Sequence, residues 1–395
     1  MDRIYLDHAA TTPMLSEVAE AMQPWLNNEF GNPSSLYKEG RKAKEAIDAA
    51  REVISDSLGC LFGEILFTSG GTEAANTAIL GTAFSNTDSK RNRILMGASE
   101  HHCVLYTEEV LTRLGYIVEK IPTNKYGLVE LEKFSDMMGE DVLLVTVMHA
   151  NNELGTINQI RQLADLAHEK CAIFHTDTVQ TYMNPLCGDE AFWKVADLGA
   201  DIATVSAHKI YGPKGTGAIY LKAGIKIKPL VHGGGQEREM RGGTENLTGI
   251  VGFARAVEYL KNHGSIWDTK FQAREAFLET LKNELESGYV VSVENFENTL
   301  PGHLHMRFPG ISSESLLIVL DRMGVCASAG AACSSGSIEP SHVLLACGYQ
   351  TCEAQEGMRF TFGIHNTIAE SKEAASRVAE AVLKMRGRIK SCANE

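Results

Sequence analysis

The stretch VLLVTVM, residues 142–148, is a continuous apolar run, and the polar sequence HANNE follows it at residues 149–153. A run without polar alternation is typical of a strand buried on both faces, as in a parallel sheet covered by helices. Residues 172–176 and 201–206 repeat the pattern of an apolar run that ends in polar side chains. The sequence therefore predicts an α/β fold with a mostly parallel sheet.

Strand-like and helix-like segments alternate over the first two thirds of the chain, with helical spacing over residues 102–114, and the pattern changes after about residue 259. A long charged helix and further strands follow, and residues 368–389 have the spacing of an amphipathic helix. A chain of 395 residues is too long for one ordinary core. We therefore predict a large domain of residues 15–258 and a smaller α+β domain formed by residues 1–14 and 259–395.

The composition is that of an ordinary globular protein, with 44% hydrophobic and 22% charged residues and a formal net charge of -13. The acidic balance argues against sequence-independent binding of nucleic acid, which needs a basic face. The longest apolar stretch is far below the roughly 20 residues of a membrane helix. The charged N-terminal sequence has no signal-peptide pattern, so we expect a cytoplasmic protein without membrane contact.

The nine cysteines are scattered along the chain and form no C-x-x-C pair. This spacing gives no support for a structural zinc site, so we expect no bound metal. Without a secretory signal, most of these thiols are expected to be reduced.

Three apolar runs end in the polar segments 148–153, 174–180 and 205–209. In open α/β sheets, ligands bind beyond the carboxyl ends of the strands, so these segments should meet at one crevice. Asp177 and Lys209 would then suit pyridoxal phosphate, in which a lysine forms a Schiff base and an aspartate keeps the pyridine nitrogen protonated. Taken singly, each could be a surface lysine or a turn residue, but their combination favours a functional site.

Three further segments are rich in small residues. Residues 69–73, SGGTE, link a strand to a helix and suit a phosphate, although an ordinary turn with a helix cap fits equally well. The glycine-dense residues 232–245 suit either an anion site or a flexible surface loop. Residues 325–337 place Cys333 where it could approach a bound substrate, although composition alone also allows a structural thiol.

Four motifs resemble the cysteine desulfurase family, a group of class V aminotransferase-like, fold-type I pyridoxal-phosphate enzymes. They are YLDHAATTP at 5–13, GNPSS at 31–35, HANNE at 149–153 and SAHKIYGPKG at 206–215. Their order and spacing match over nearly the whole chain. The resemblance implies a large domain with a seven-stranded sheet, a smaller α+β domain and a homodimer with its active sites at the subunit interface.

The resemblance also implies the roles of individual residues. Lys209 would bind pyridoxal 5'-phosphate covalently, and His101 would stack on the ring and exchange thiol protons. Cys333 would attack the sulfur of L-cysteine, giving a persulfide and alanine. The other implied cofactor contacts are Asp177 at the ring nitrogen, Gln180 and Asn152 on the phenolic oxygen side, Gly71, Thr72, Ser206 and His208 at the phosphate, and Thr244 at the phosphate of the other subunit. Arg359, helped by Asn32, would hold the substrate carboxylate.

Residues 338–344 after Cys333 resemble the group with a long catalytic loop, which passes sulfur to an iron–sulfur scaffold or a sulfur carrier, for iron–sulfur cluster assembly or tRNA thiolation. Ala329 and Ala331 replace the serines usual in that loop, and His365 departs from the usual Gly-Arg-aromatic sequence. Cys103 and Cys326 match no standard family position, and we expect them to pack in the interior.

Two alternative functions remain open on the sequence. A selenocysteine lyase or a related pyridoxal-phosphate lyase would have the same fold, and the choice between sulfur and selenium is not visible in the sequence. A catalytically silent scaffold or binding subunit would have lost Lys209, Asp177 or Cys333, and all three are present. An aminotransferase would need no cysteine near its substrate, so Cys333 argues against it.

Overall fold

The computed structural model describes residues 2–186, 192–263, 267–330 and 340–392. The β-strands are β1 (Ile4–Tyr5), β2 (Ile65–Thr68), β3 (Arg93–Gly97), β4 (Ile117–Ile121), β5 (Val142–Thr146), β6 (Ile173–Asp177), β7 (Ile202–Ser206), β8 (Gly217–Leu221), β9 (Val290–Val291), β10 (His303–Arg307), β11 (Val325–Cys326) and β12 (Gly357–Thr361). The helices are α1 (Ser16–Met22), α2 (Pro24–Asn27), α3 (Lys38–Leu58), α4 (Gly71–Ser85), α5 (His102–Leu105), α6 (Thr107–Arg113), α7 (Leu131–Met137), α8 (Ile160–Glu169), α9 (Val195–Leu198), α10 (Leu247–Asn262), α11 (Trp267–Leu285), α12 (Ser313–Arg322), α13 (His342–Ala346), α14 (Thr351–Ala354) and α15 (Ile368–Cys392).

The largest sheet has seven strands in the order β2-β8-β7-β6-β5-β3-β4. Neighbouring strands from β7 through β4 in that order are parallel, whereas β8 is antiparallel to both β2 and β7. The mostly parallel α/β sheet predicted from the apolar runs is therefore confirmed. The sequence patterns did not identify β4 and β8.

Both faces of this sheet are covered by helices, which explains why its central strands are apolar throughout. All five residues of β5 and of β7 are buried. Successive residues of β5 enter different cores: Val145 packs in the core that contains Ile54 of α3 and Phe253 of α10. Leu144 packs in the core that contains Ile79 of α4.

A second, smaller unit is built on the antiparallel sheet β12-β10-β9. Phe277 of α11 and Val378 of α15 pack with its strands in a separate hydrophobic core. The N-terminal strand β1 joins this core by pairing in parallel with β11, and Leu6 is fully buried in it. The expected large and small parts of the fold are present, and the exact domain limits given above stay predictions.

The helix expected over residues 102–114 is interrupted at Tyr106, which separates α5 from α6. The other strands and helices named from the sequence differ from the structure by a few residues at their ends. Within the described part of the chain, no helix combines the length and the apolar character needed to cross a membrane.

Candidate active site

The carboxyl ends of β5, β6 and β7 and the start of α4 enclose a cavity of about 210 Å³. It is lined by ten of the residues singled out from the sequence and by six others. The ten are Gly71, Thr72, His101, Asn152, Asp177, Gln180, Ser206, His208, Lys209 and Arg359. The others are Ala9, Ala10, Cys103, Met148, Ala150 and Val179.

Lys209 follows β7 in a short 3₁₀ turn formed by Ala207–Lys209. Its Nζ donates hydrogen bonds to the backbone carbonyls of Ala9 and Ala10. Gln180 donates to the same Ala9 carbonyl at 3.1 Å. The N-terminal segment therefore forms one wall of the cavity and holds the lysine amine inside it.

Asp177 is the last residue of β6 and is 8% exposed. One carboxylate oxygen accepts the backbone N–H of Val179 at 2.9 Å. Burial raises the pKa of Asp177 to about 6, although the Val179 hydrogen bond and the charge of Lys209 act in the opposite direction. A buried carboxylate of this kind is stabilised by a cationic ligand, and a protonated pyridine nitrogen is such a group.

His101 precedes α5 and caps it, because its Nδ1 accepts the backbone N–H of Cys103 at 3.1 Å. Burial lowers the pKa of His101 to about 4, with a further contribution from the charge of Lys209. The imidazole is therefore neutral near pH 7. Since Nδ1 accepts a hydrogen bond, its proton is on Nε2.

The start of α4 lies at one end of the cavity, where Gly71 and Thr72 line it. Gly70 has a φ of +151°, which L residues rarely adopt, and a Cβ atom on Gly71 would lie 2.9 Å from the Val179 side chain. Beside this turn, the Ser206 hydroxyl is buried and has no hydrogen-bond partner among the described residues. A helix N-terminus with an unpaired hydroxyl is suited to a phosphate, so this end of the cavity fits the phosphate of pyridoxal phosphate.

His208 also lines the cavity, and its Nδ1 is 3.1 Å from the hydroxyl oxygen of Thr11. Burial, followed by the charges of Lys209 and Lys214, lowers the pKa of His208 to about 4. His208 is therefore available as a neutral hydrogen-bonding side chain and adds no positive charge near pH 7.

Arg359 comes from β12 of the smaller unit and is 1% exposed. Its Nη2 pairs with Asp7 at 2.7 Å, and its Nη1 donates to the carbonyl of Asn152 at 2.8 Å. Its Nε is buried without a partner among the described residues, and so is Oδ1 of Asn152. The guanidinium group is therefore fixed in place and retains a donor for a ligand.

Asn32 and Thr244 are exposed and do not line the cavity. The side-chain oxygen of Asn32 accepts the Ser34 N–H at 2.9 Å. The structure of one chain therefore brings neither residue to the other predicted ligands. Cys333 lies outside the described residues.

Two glutamates near the cavity were not singled out from the sequence. Glu100 is 1% exposed, and its Oε1 accepts the Met148 N–H at 2.5 Å. Glu153 is fully buried, and its Oε2 accepts the Ser341 hydroxyl at 2.5 Å. Burial raises the pKa of both carboxyl groups. Glu153 lies within the quoted HANNE motif, but only the fold shows that it meets Ser341.

The two cysteines expected in the interior are both only half-buried. Cys103 lines the cavity, because it lies in the first turn of α5, directly after His101 and His102. Cys326 ends β11, and its Sγ accepts a hydrogen bond from Arg3 at 3.2 Å. The expected packing in the interior is therefore only partial for these two thiols.

Comparison with known proteins agrees with this geometry. The aminotransferase class-V family model matches residues 4–373. A cysteine desulfurase IscS from Dictyoglomus turgidum is 42% identical over 92% of this chain and 90% of its own length. A putative cysteine desulfurase IscS 1 from Bacillus subtilis is 41% identical over 98% of this chain and 100% of its own length.

Solved structures show the same relationship. A NifS-like protein superposes with a TM-score of 0.88 at 33% identity and covers 97% of this chain and 100% of its own. SspA in complex with cysteine superposes with a TM-score of 0.79 at 34% identity, over 91% of this chain and 98% of its own. The chain therefore belongs to the class-V aminotransferase family, in the branch that contains the cysteine desulfurases.

Proposed function

We propose that this chain is a cysteine desulfurase that depends on pyridoxal 5'-phosphate. It removes sulfur from L-cysteine and forms L-alanine and a persulfide on Cys333. The observation that carries the proposal is the cavity in which Lys209 and Asp177 lie together with the start of α4. The cysteine desulfurases of similar sequence and the related structure in complex with cysteine support the same reaction.

The residues of the cavity divide into groups that suit different parts of the cofactor. Lys209 would hold it covalently, Asp177 would pair with its ring nitrogen, and His101 would lie against its ring. Gln180 and Asn152 would contact the phenolic oxygen side. The phosphate would be bound by Gly71, Thr72, Ser206 and His208. When bound, the cofactor supplies an electron sink for negative charge that develops on the substrate carbon.

Arg359 is suited to the carboxylate of the substrate, since its Nε has no partner among the described residues. The ion pair with Asp7 and the hydrogen bond to Asn152 keep the guanidinium plane in position. A positioned guanidinium group binds carboxylates with good geometry. Asn32 is assigned to assist it. This assignment needs a second subunit, because Asn32 does not line the cavity of its own chain.

The described residues that flank Cys333 in the sequence support its assignment. Ser328 and Arg359 exchange two backbone hydrogen bonds, of 3.1 and 2.7 Å. Cys333 follows Ser328 by five residues, and a segment of that length spans at most roughly 17 Å. A Cβ atom placed on Gly330 would lie 3.4 Å from Oε2 of Glu153, which also binds Ser341. The described residues that flank the segment with Cys333 therefore lie beside the cavity wall.

Sulfur transfer would use Cys333 as a thiolate. The thiolate attacks the substrate sulfur, the carbon–sulfur bond breaks, and its electron pair stays on carbon. That carbon then takes up a proton to give alanine. His101, neutral and protonated on Nε2, would exchange protons with the thiol groups.

We infer a homodimer, because Asn32 and Thr244 do not line the cavity of their own chain and would act at the cavity of a second subunit. The persulfide would pass to an acceptor protein, either an iron–sulfur scaffold or a sulfur carrier, and the cytoplasmic location stays a prediction. Release of sulfide and alanine from L-cysteine, measured with a reductant and with each class of acceptor, identifies the acceptor that accelerates turnover.

The deciding experiment is one turnover with L-cysteine, followed by mass spectrometry of the peptides. Wild type should gain about 32 daltons on the Cys333 peptide and release one equivalent of alanine. Cys333→Ala should bind cysteine but form neither the persulfide nor alanine in normal amount. Cys326→Ala is the matched control and should retain most activity. A sulfur adduct found only on Cys103, Cys326 or Cys347 would contradict the role of Cys333.

A further inference from the structure

The turn before α4 is a wall between two cavities. Gly71 and Thr72 line the candidate active site, while Ser69 lines a smaller cavity of about 50 Å³ together with Arg241. Glu73, in the first turn of α4, accepts the Ser69 N–H on its Oε2 at 2.9 Å. Glu73 therefore fixes the turn on which the predicted phosphate site depends.

Arg241 pairs with this glutamate through two N–H groups. Its Nε lies 2.9 Å from Oε1 of Glu73, and its Nη2 lies 3.2 Å from Oε2. Burial alone would raise the pKa of Glu73, but the hydrogen bonds from Arg241 and Ser69 outweigh it and keep that pKa below its usual value. Glu73 is therefore ionised near pH 7, and Arg241 offsets its charge.

A second ion pair holds the backbone segment that carries Arg241. Arg51 of α3 binds Glu237 through two contacts of 2.9 and 2.7 Å, and the Phe67 N–H donates to the same carboxylate at 2.9 Å. Glu237, Arg238 and Glu239 have φ values of +46°, +57° and +67°. Consecutive non-glycine residues with positive φ are strained. The Arg51–Glu237 pair therefore helps to hold this part of the backbone, which continues to Arg241, in its conformation.

We propose that Glu73 and Arg241 are positioning residues for the cofactor phosphate. Glu73 holds the turn in its shape, and Arg241 cancels the negative charge that Glu73 would otherwise present to a second anion at the same helix end. A carboxylate in the first turn uses the same favourable potential that attracts a phosphate. The proposal rests on the proposed function, because it assigns the start of α4 to the phosphate of pyridoxal phosphate.

The test compares two ligands of the apoprotein: pyridoxal phosphate and pyridoxal, which lacks the phosphate. Arg241→Gln should raise the dissociation constant of pyridoxal phosphate roughly tenfold, because Glu73 is left uncompensated. The dissociation constant of pyridoxal should change less than about twofold. The double variant Glu73→Gln, Arg241→Gln should recover most of the lost affinity, because it has no uncompensated charge. Arg241→Lys, which keeps the charge, should remain within about threefold of wild type.

Arg93→Gln is the matched control. Arg93 has a similarly exposed side chain and pairs with Glu119 and Asp141 at 2.6 and 3.0 Å, away from the cavity. It should lower thermal stability without changing the ratio of the two affinities. Equal weakening of both ligands by Arg241→Gln, or a double variant no better than the single one, would overturn the inference. Wild-type apoprotein that binds no pyridoxal phosphate at Lys209 would instead overturn the proposed function.

Discussion

Lys209 and Asp177 differ from Asn32 and Thr244 in how the fold positions their side chains. Asp177 ends the central strand β6, Lys209 lies in the short turn that follows β7, and both line the cavity of a single chain. The second two lie on exposed segments and do not line it. A sheet fixes the residues at its strand ends without help, whereas residues on exposed segments need a further surface to act at a ligand. We call Lys209 and Asp177 the interior set, which a single chain places at the cavity. Asn32 and Thr244 are the exterior set, which depends on assembly of a dimer.

The interior set should show the largest effect. Lys209→Ala removes the amine that Ala9 and Ala10 hold in the cavity, so covalently bound cofactor should be lost and alanine formation should fall by about four orders of magnitude. Borohydride reduction of the wild type followed by peptide mapping should place the label on Lys209. A label on Lys214 or Lys222 would assign the covalent bond to another segment.

Asp177→Asn should have the next largest effect. The variant should still hold the cofactor covalently through Lys209, with lower affinity than wild type. Removal of the substrate α-proton should slow by roughly a hundredfold or more, because the ring nitrogen loses its anionic partner. Stopped-flow absorbance with α-deuterated cysteine measures this step. Turnover within a few-fold of wild type would show that another group holds the nitrogen.

The same carboxylate gives a pH dependence. Burial raises the pKa of Asp177 to about 6, so the carboxylate is protonated as pH falls through that value and can no longer pair with a pyridinium. Affinity of the wild-type apoprotein for the cofactor should therefore fall as pH is lowered through about 6. Asp177→Asn should lose this dependence, and a variant that kept it would assign the titration to a different group.

The exterior set should show the smallest effect, and one that depends on protein concentration. Thr244→Val should weaken cofactor retention by roughly tenfold, as expected for one lost hydrogen bond to a charged group. Sedimentation and activity measured over a dilution series should show that wild-type cofactor loss follows dissociation of a dimer. A wild-type protein that is monomeric at micromolar concentration and fully active would remove the distinction between the two sets.

The sequence was most informative where one residue pattern has one structural cause. The apolar runs that end in polar residues predicted the strands β5, β6 and β7 and their shared functional edge. β8 was missed because it lies among glycines, and its antiparallel direction depends on pairing with β2 and β7. The prediction of one continuous helix over residues 102–114 was wrong, because helical spacing gave no sign of the break at Tyr106.

For the site, the residues at strand ends could be named in advance, but their partners could not. No local pattern indicates that the carbonyls of Ala9 and Ala10 would accept from Lys209, or that Asp7 would pair with Arg359. These contacts join segments about 200 and 350 residues apart, so they depend on the packing of the whole fold. The half-buried position of Cys103 was missed for the same reason.

The first residues of the chain have a consequence for synthesis of the protein. Ile4 and Tyr5 pair with Val325 and Cys326, and Leu6 accepts the N–H of Thr361. The segment that supplies the lysine acceptors can therefore reach its final place only after residue 361 has left the ribosome. Long-range closure of this kind is slow compared with local folding. The seven-stranded sheet can form earlier in translation, whereas a complete cofactor pocket forms only once residue 361 is available.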